Sequence, residues 1–464
     1  MGETPKLPVA MGETPRPLRC PAQPVARAAP TPRSPARKRL TREVIRIESL
    51  AAGGDGVGRR EGGEVVFVPR TAPGELVEAE VSAGKPARGS VLRVLEPSPE
   101  RVEPACPYLA ACGGCSFMHL SARAQEDAHA AIVRAAIVHA VPDTVIPDIV
   151  VHAAPAELAY RTRARLFLKA DRRGVQVGYR APSSHDLVAV AACLVLDPAI
   201  APLLGELAEV LAGARGEGDA SVARGHGGLP VVSLSFRGEL ATATWAALDA
   251  RVARGAWAGA RVILHGAGQP AIFGDPRPVL AGADGVPLVI APGGFAQPSD
   301  EGAARLARRA DELARLEPPG ASRPRHAVEL FAGSGTLSVL LARDAASFTA
   351  VEIDPDAAAA ARQNLGARGL AARVVVADAD GFVVPAATTV VVLDPPRAGA
   401  PGAARAIAAS AARAVVYVAC DPSTLARDLA VLTRHRLAIT HVETFELFPQ
   451  TSHVETIVRL ARVR

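Results

Sequence analysis

The chain has 464 residues, 49% of them apolar and 21% charged, with a formal net charge of +5. That length exceeds one hydrophobic core and points to about three domains, and the apolar share excludes a mainly disordered chain. No apolar run nears the roughly 20 residues of a membrane span, and the basic N-terminus lacks the apolar segment of a secretory signal, so the sequence reads as a cytoplasmic protein without a membrane partner.

Residues 1–40 hold eight Lys and Arg among many Pro and Ala, with a near repeat, MGETPK at Met1 and MGETPR at Met11. Without apolar periodicity they cannot offset their ordering entropy and are expected to form a disordered basic tail. Residues 41–98 alternate short apolar runs with Gly-rich turns, which predicts several antiparallel strands closing into a small β-barrel. Arg59, Arg60, Arg70, Lys85, Arg88 and Arg93 stud this region, either as contacts for a nucleic-acid backbone or as an ordinary solvated surface.

Three cysteines follow as Cys106-x5-Cys112-x2-Cys115, with Cys193 well downstream. Six cysteines in a reducing setting argue against a disulfide framework. Four thiols grouped in this way supply the ligands of a structural zinc or an iron-sulfur cluster, and spacing alone does not choose between them. Residues 121–140 carry helical apolar spacing. The stretch from Tyr160 to Arg180 reads as a β-hairpin with Arg161, Arg163, Arg165, Lys169, Arg172, Arg173 and Arg180 interleaved with Tyr160, Phe167 and Tyr179. That mixture suits phosphates and stacked bases. Residues 199–290 read as one helix followed by strands and turns, with no assignable chemistry.

The C-terminal part gives the clearest fold signal. Val328 to Thr336, VELFAGSGT, is a strand entering a Gly-x-Gly loop, followed by helical LSVLLARDA. Glu352 closes the next strand, 19 residues beyond Gly333, and an acid at that distance accepts hydrogen bonds from ribose hydroxyls. Ser338 stands where a dinucleotide fingerprint has its third glycine, so the loop suits S-adenosylmethionine better than NAD. Further strand ends place Asp378, Asp394 and Cys420 in succession, and FPQTSHVET brings Glu455 to a late strand. Cys420 follows VVYVA and precedes DPST, a turn into a helix N-terminus whose field is expected to hold the thiol as thiolate; a buried structural cysteine is the plainer alternative.

Together VFVPRTAPGE, LEPSPERVEPAC, CGGC with Cys193, FAQPS, ELFAGSGT, LDPPRAG, ACDPSTLARD and FPQTSHVE resemble the RNA 5-methyluridine methyltransferases of the iron-sulfur, TRAM-domain type that act on 23S rRNA. The resemblance covers residues 41–464. It implies an α/β fold: a class I (Rossmann-like) methyltransferase domain at residues 291–464, a small OB-like TRAM barrel at 41–98 and a central α+β iron-sulfur, RNA-binding domain at 99–290. It implies S-adenosyl-L-methionine and a 4Fe-4S cluster on Cys106, Cys112, Cys115 and Cys193 as cofactors, with RNA as partner of a monomeric enzyme. It further implies Cys420 as nucleophile and Glu455 as base, with Gln297, Phe331, Glu352 and Asp394 lining the cofactor and uracil pocket; the loop residues Gly333, Gly335 and Thr336, and Asp378 at its strand end, are expected to join them along the cofactor. Met118, Ser299 and Thr336 depart from the Gln, Asn and Asn usual in the family. Rival readings are a tRNA uracil-5 enzyme, an amino methyltransferase using Asp394-Pro-Pro, and a non-catalytic RNA-binding factor.

Overall fold

The computed structural model describes residues 40–316 and 325–463, so the expected tail, with Cys20, falls almost wholly outside the described residues. The first five strands, β1 (Leu40–Leu50), β2 (Gly56–Arg59), β3 (Val65–Val68), β4 (Leu76–Ser82) and β5 (Ala87–Glu96), close into a barrel in the order β1-β2-β3-β5-β4. Alternation explains it: Val77, Ala79 and Val81 of β4 are fully buried while their neighbours face outward, and Ile45, Ile47, Val66 and Val68 complete the interior. Period-two patterning is what a barrel wall requires.

Next come α1 (Ala122–Ala140), capped by Ser121, and β6 (Ile149–His152). The hairpin expected at 160–180 forms as β7 (Arg163–Asp171) and β8 (Gly174–Arg180). These join β9 (Leu187–Ala189), α2 (Leu203–Val210), β10 (Arg215–Arg224), β11 (Pro230–Glu239), α3 (Thr242–Ala253), β12 (Gly259–Leu264) and β13 (Ala271–Gly274). The strands make one seven-stranded sheet, β13-β12-β11-β10-β7-β8-β9. Its core gathers Leu203, Leu207, Leu248, Trp257 and Phe236. Two helices lie where one was expected. The second, α3, is alanine-rich and buries only Thr244, Leu248 and Arg251, so its apolar period is faint.

After a short hairpin, β14 (Val279–Ala281) and β15 (Pro287–Val289), the C-terminal layers comprise α4 (Asp300–Arg315), β16 (His326–Leu330), α5 (Ser338–Leu341), β17 (Ser347–Glu352), α6 (Pro355–Gly366), β18 (Arg373–Val376), β19 (Val390–Leu393), α7 (Pro401–Ala409), β20 (Ala414–Ala419), α8 (Pro422–Thr433), β21 (Leu437–Phe445) and β22 (Glu455–Arg462). The sheet order is β18-β17-β16-β19-β20-β22-β21-β6. Successive residues of each central strand enter opposite cores: Val391, Leu393, Val415 and Tyr417 on one face, Val390, Val392, Val416 and Val418 on the other. Burial on both sides is why these strands read as unbroken apolar runs. The helical run expected over LSVLLARDA ends at Leu341, with Asp344 turning to a left-handed φ of 54° just beyond. Helix α1 and strand β6 pack on this sheet, not on the central one: β6 pairs with β21, and Val133 and Ile137 enter the same core as Leu432. Among the described residues no helix is long and apolar enough to cross a membrane.

Candidate active site

The site forms along one edge of the C-terminal sheet. Strands β16, β17, β19 and β20 run parallel, so their carboxyl ends deliver Phe331, Glu352, Asp394 and Cys420 to that edge, where loops can converge without breaking the ladder. Strand β22 runs antiparallel to β20 with Ala419 opposite Thr456. Its first residue, Glu455, therefore arrives beside Cys420 from the opposite direction. Asp378 lies beyond β18 at the same edge, exposed, with its side chain capping a short turn through the Asp380 N–H.

The glycine loop is shaped by backbone geometry. Phe331, Gly333 and Gly335 all take left-handed φ values, 61°, 55° and 90°. Glu352 holds the loop from below, accepting from the Gly333 N–H at 2.7 Å and the Asp354 N–H at 2.8 Å. The acid expected to face a ribose therefore also braces the loop. Under it lies Glu329, which sequence reasoning passed over although a lone charge inside an apolar strand is itself a signal. Burial pushes its carboxyl up to about 8, with Ser338 donating to it.

Gln297 is buried on the loop before α4, and its Oε1, like Oε1 of Glu455, finds no hydrogen-bond partner among the described residues. Ser299, in place of the usual Asn, caps α4 by accepting from the Gly302 N–H at 3.1 Å; both residue types cap well. Burial raises the Asp394 carboxyl to about 7. Burial and the neighbouring Asp394 charge likewise push Glu455 well above the ordinary carboxylate range.

The expectation of a lowered Cys420 thiol is not met. Burial, then the Glu455 and Asp394 carboxylates, push it up to about 11, against a partial counterweight from Arg397. The helix end cannot compensate because Asp421 has taken it: its carboxylate accepts from the Ser423 and Thr424 N–H groups at 3.0 and 2.9 Å. A helix N-terminus already holding an anion offers little to a second one.

Helix α8 does position the loop after Asp394. The Arg427 guanidinium donates to the Ala398 carbonyl at 2.9 Å, and Asp428, wholly buried, accepts from the Ala400 N–H and the Tyr417 hydroxyl at 2.7 Å each. Gly399 (φ 72°) has no room for a side chain, since a Cβ would sit 2.4 Å from Arg427. Arg397, beyond Pro395 and Pro396, meets the His453 ring at 2.9 Å.

Away from this edge, Cys106, Cys112, Cys115 and Cys193 line one small cavity with Leu109, Val190 and Val195. None of the four is joined in a disulfide. Gly113 lies so close to β8 that a Cβ would fall 2.8 Å from the Arg180 carbonyl. Among the described residues no group of His, Cys, Asp or Glu is disposed to hold a metal ion. Four thiols lining one cavity are the donor set that a structural zinc and an iron-sulfur cluster share.

Comparison with known proteins bears on the family and the fold. The family described as tRNA (Uracil-5-)-methyltransferase matches residues 383–463, and the TRAM domain matches residues 38–92. A protein of Chromohalobacter salexigens named 23S rRNA (uracil(1939)-C(5))-methyltransferase RlmD is 34% identical over 91% of this chain and 90% of its own length. A Gloeobacter violaceus protein described as an uncharacterized RNA methyltransferase is 32% identical, over 90% of this chain and 96% of its own. Among solved structures, the Pyrococcus abyssi tRNA (uracil-54, C5)-methyltransferase in complex with S-adenosyl-L-homocysteine shares the fold, with a TM-score of 0.70 at 22% identity, covering 91% of this chain and 100% of that one.

Proposed function

Because the chain belongs to the TRAM-domain family of S-adenosylmethionine-dependent RNA uracil-C5 methyltransferases, we propose that it methylates C5 of a uridine in 23S rRNA through a covalent adduct on Cys420. One observation carries the mechanism: a thiol and two carboxyls, those of Cys420, Asp394 and Glu455, share one buried sheet edge. Uracil C5 is a weak nucleophile until a thiolate adds at C6. Cys420 Sγ, its proton given up to water, forms that bond, and the electron pair moves to C5 and the O4 carbonyl. Asp394, with its carboxyl near neutrality, donates a hydrogen bond to a uracil carbonyl as charge develops. When bound, S-adenosylmethionine supplies a methyl group on a sulfonium. Once C5 carries the methyl, Glu455 removes the remaining C5 proton, the C5–C6 double bond re-forms and the Sγ–C6 bond breaks. Glu455 suits this step because a buried carboxylate without a partner is a stronger base than an exposed one.

Gln297 and Asp394 would bracket an extruded uracil, with Phe331, Gly333, Gly335, Thr336, Glu352 and Asp378 along the cofactor. The four cysteines would hold a 4Fe-4S cluster that staples the central region. The relatives named for 23S rRNA and the TRAM barrel support the choice of RNA. Mapping of 5-methyluridine in ribosomal and transfer RNA from cells lacking the protein tests it. Loss at one 23S uridine is expected; loss confined to transfer RNA overturns the substrate. Iron and sulfide assayed on protein purified without oxygen test the cluster, and zinc in their place overturns it.

A further inference from the structure

The connection between β21 and β22 carries His453, which meets Arg397, and ends at Glu455. It has no regular structure of its own, and Gln450 sits within it at a left-handed φ of 71°. What fixes this loop lies more than 300 residues away in sequence, on α1. The side-chain Oε1 of Gln125 accepts from the Gln450 N–H at 2.7 Å, and its Nε2 donates to Gln450 Oε1 at 3.2 Å and to the Leu120 carbonyl at 3.0 Å. One turn on, His129 meets the Glu446 carboxylate through Nδ1 at 2.9 Å and the Thr451 carbonyl through Nε2 at 3.2 Å. The Gln450 carbonyl accepts from the Ser116 and Phe117 N–H groups, both at 3.0 Å, directly after Cys115. Gln125, His129, Glu446, Gln450 and Thr451 are all at most 6% exposed. A polar array buried this deeply and paired throughout has one arrangement available to it.

We infer that Gln125 and His129 are positioning residues for Glu455: α1 clasps the 446–452 loop and so sets where the base stands against the adduct on Cys420. The inference rests on the mechanism proposed above. It separates two steps that an ordinary folding role would affect alike, because bond formation by Cys420 precedes any need for Glu455, whereas release of product depends on it.

The experiment uses the full chain, S-adenosylmethionine and in-vitro-transcribed 23S rRNA, alongside the same RNA made with 5-fluorouridine, whose C5 fluorine cannot leave as a proton. Denaturing gels follow the covalent protein–RNA species. For Gln125→Leu and His129→Leu, trapping by the fluorinated RNA should proceed at the wild-type rate. With ordinary RNA the adduct should persist and product release slow by up to about a hundredfold, the scale of a small misplacement. His129→Gln, which keeps a donor near the Nε2 position, should restore release, and Gln450→Gly, which keeps the left-handed backbone but not the amide side chain, covers the case in which a leucine variant fails to fold. If trapping and release fall together in every soluble variant, or release is unchanged, the positioning role is overturned. Should Glu455→Gln itself fail to accumulate adduct, the base assignment is what has failed. A persistent adduct in Glu455→Gln but not in the α1 variants rejects the clasp alone.

Discussion

Two buried polar regions, joined through the short stretch between Thr451 and Glu455, are built on opposite rules. In the seam between α1 and the 446–452 loop, His129, Gln125, Glu446 and Gln450 have their buried polar groups paired. At the sheet edge Glu455 buries an oxygen with no partner among the described residues, as does Gln297 on the loop before α4, and Asp394 and Glu455 are pushed towards their neutral forms. Burying a polar atom unpaired costs roughly 1–3 kcal/mol, a cost that persists in a native site when a ligand later supplies the partner. The seam has the composition of a structural element and the edge that of a binding site.

The largest effect expected at the edge is on Cys420. Cys420→Ala should abolish methylation while S-adenosylhomocysteine binding, measured by calorimetry, stays near wild type; residual turnover would remove the thiol from the mechanism. In the ligand-free enzyme the raised thiol should make alkylation of Cys420, followed by peptide mass mapping, slow at neutral pH and about tenfold faster per unit up to about pH 11. A rate already at its plateau at pH 7 would contradict that electrostatic picture. Next in size, Glu455→Gln should slow turnover by about 10²–10⁴, the usual contribution of a general base. It should leave thermal stability unchanged or raise it, because it removes a carboxyl that burial already disfavours.

The seam should answer in the reverse way. His129→Ala leaves Glu446 buried without its partner, and an unsatisfied buried polar group costs about 1–3 kcal/mol, more where it carries charge. Thermal melting should show that loss, in contrast to Glu455→Gln. Equal melting shifts for the two variants would erase the distinction between the regions.

The edge was legible in the sequence and the seam was not, for a physical reason. Asp394 after VVVL and Cys420 after VVYVA each follow a short apolar run and so announce themselves as strand ends, and parallel sheets gather such ends. Glu455 depended on a motif, since nothing local states that its strand runs antiparallel to that of Cys420. Gln125 and His129 belong to a helix whose own pattern explains only Ile132, Val133 and Ile137 as core. Their partners lie 325 and 317 residues away, beyond the reach of any periodicity. For the same reason the docking of α1 and β6 on the C-terminal sheet went unread, while the barrel, made of near neighbours in sequence, was plain. Sequence also placed the helix end beside Cys420 but could not show that Asp421 had already occupied it.

Glu329 gives the finest test, being buried like a seam residue but titrating like an edge one. Burial first, then the nearby charges of Asp394 and Glu352, raise its carboxyl to about 8 despite the hydrogen bond from Ser338. Below an ordinary carboxyl value both folded and unfolded chains carry the proton. Between that value and about 8 the unfolded chain has released it and the folded chain has not, so stability falls as pH rises, by about 1.4 kcal/mol per unit for one group. Above about 8 both forms are ionised and the loss levels off. Glu329→Gln cannot titrate, and its amide oxygen can still accept from Ser338. The difference in melting temperature between this variant and the wild type should therefore widen in the variant's favour from pH 5 to pH 8 and then hold steady. A constant difference across that range would mean that Glu329 is ionised in the folded protein and held by partners, as a member of the seam would be.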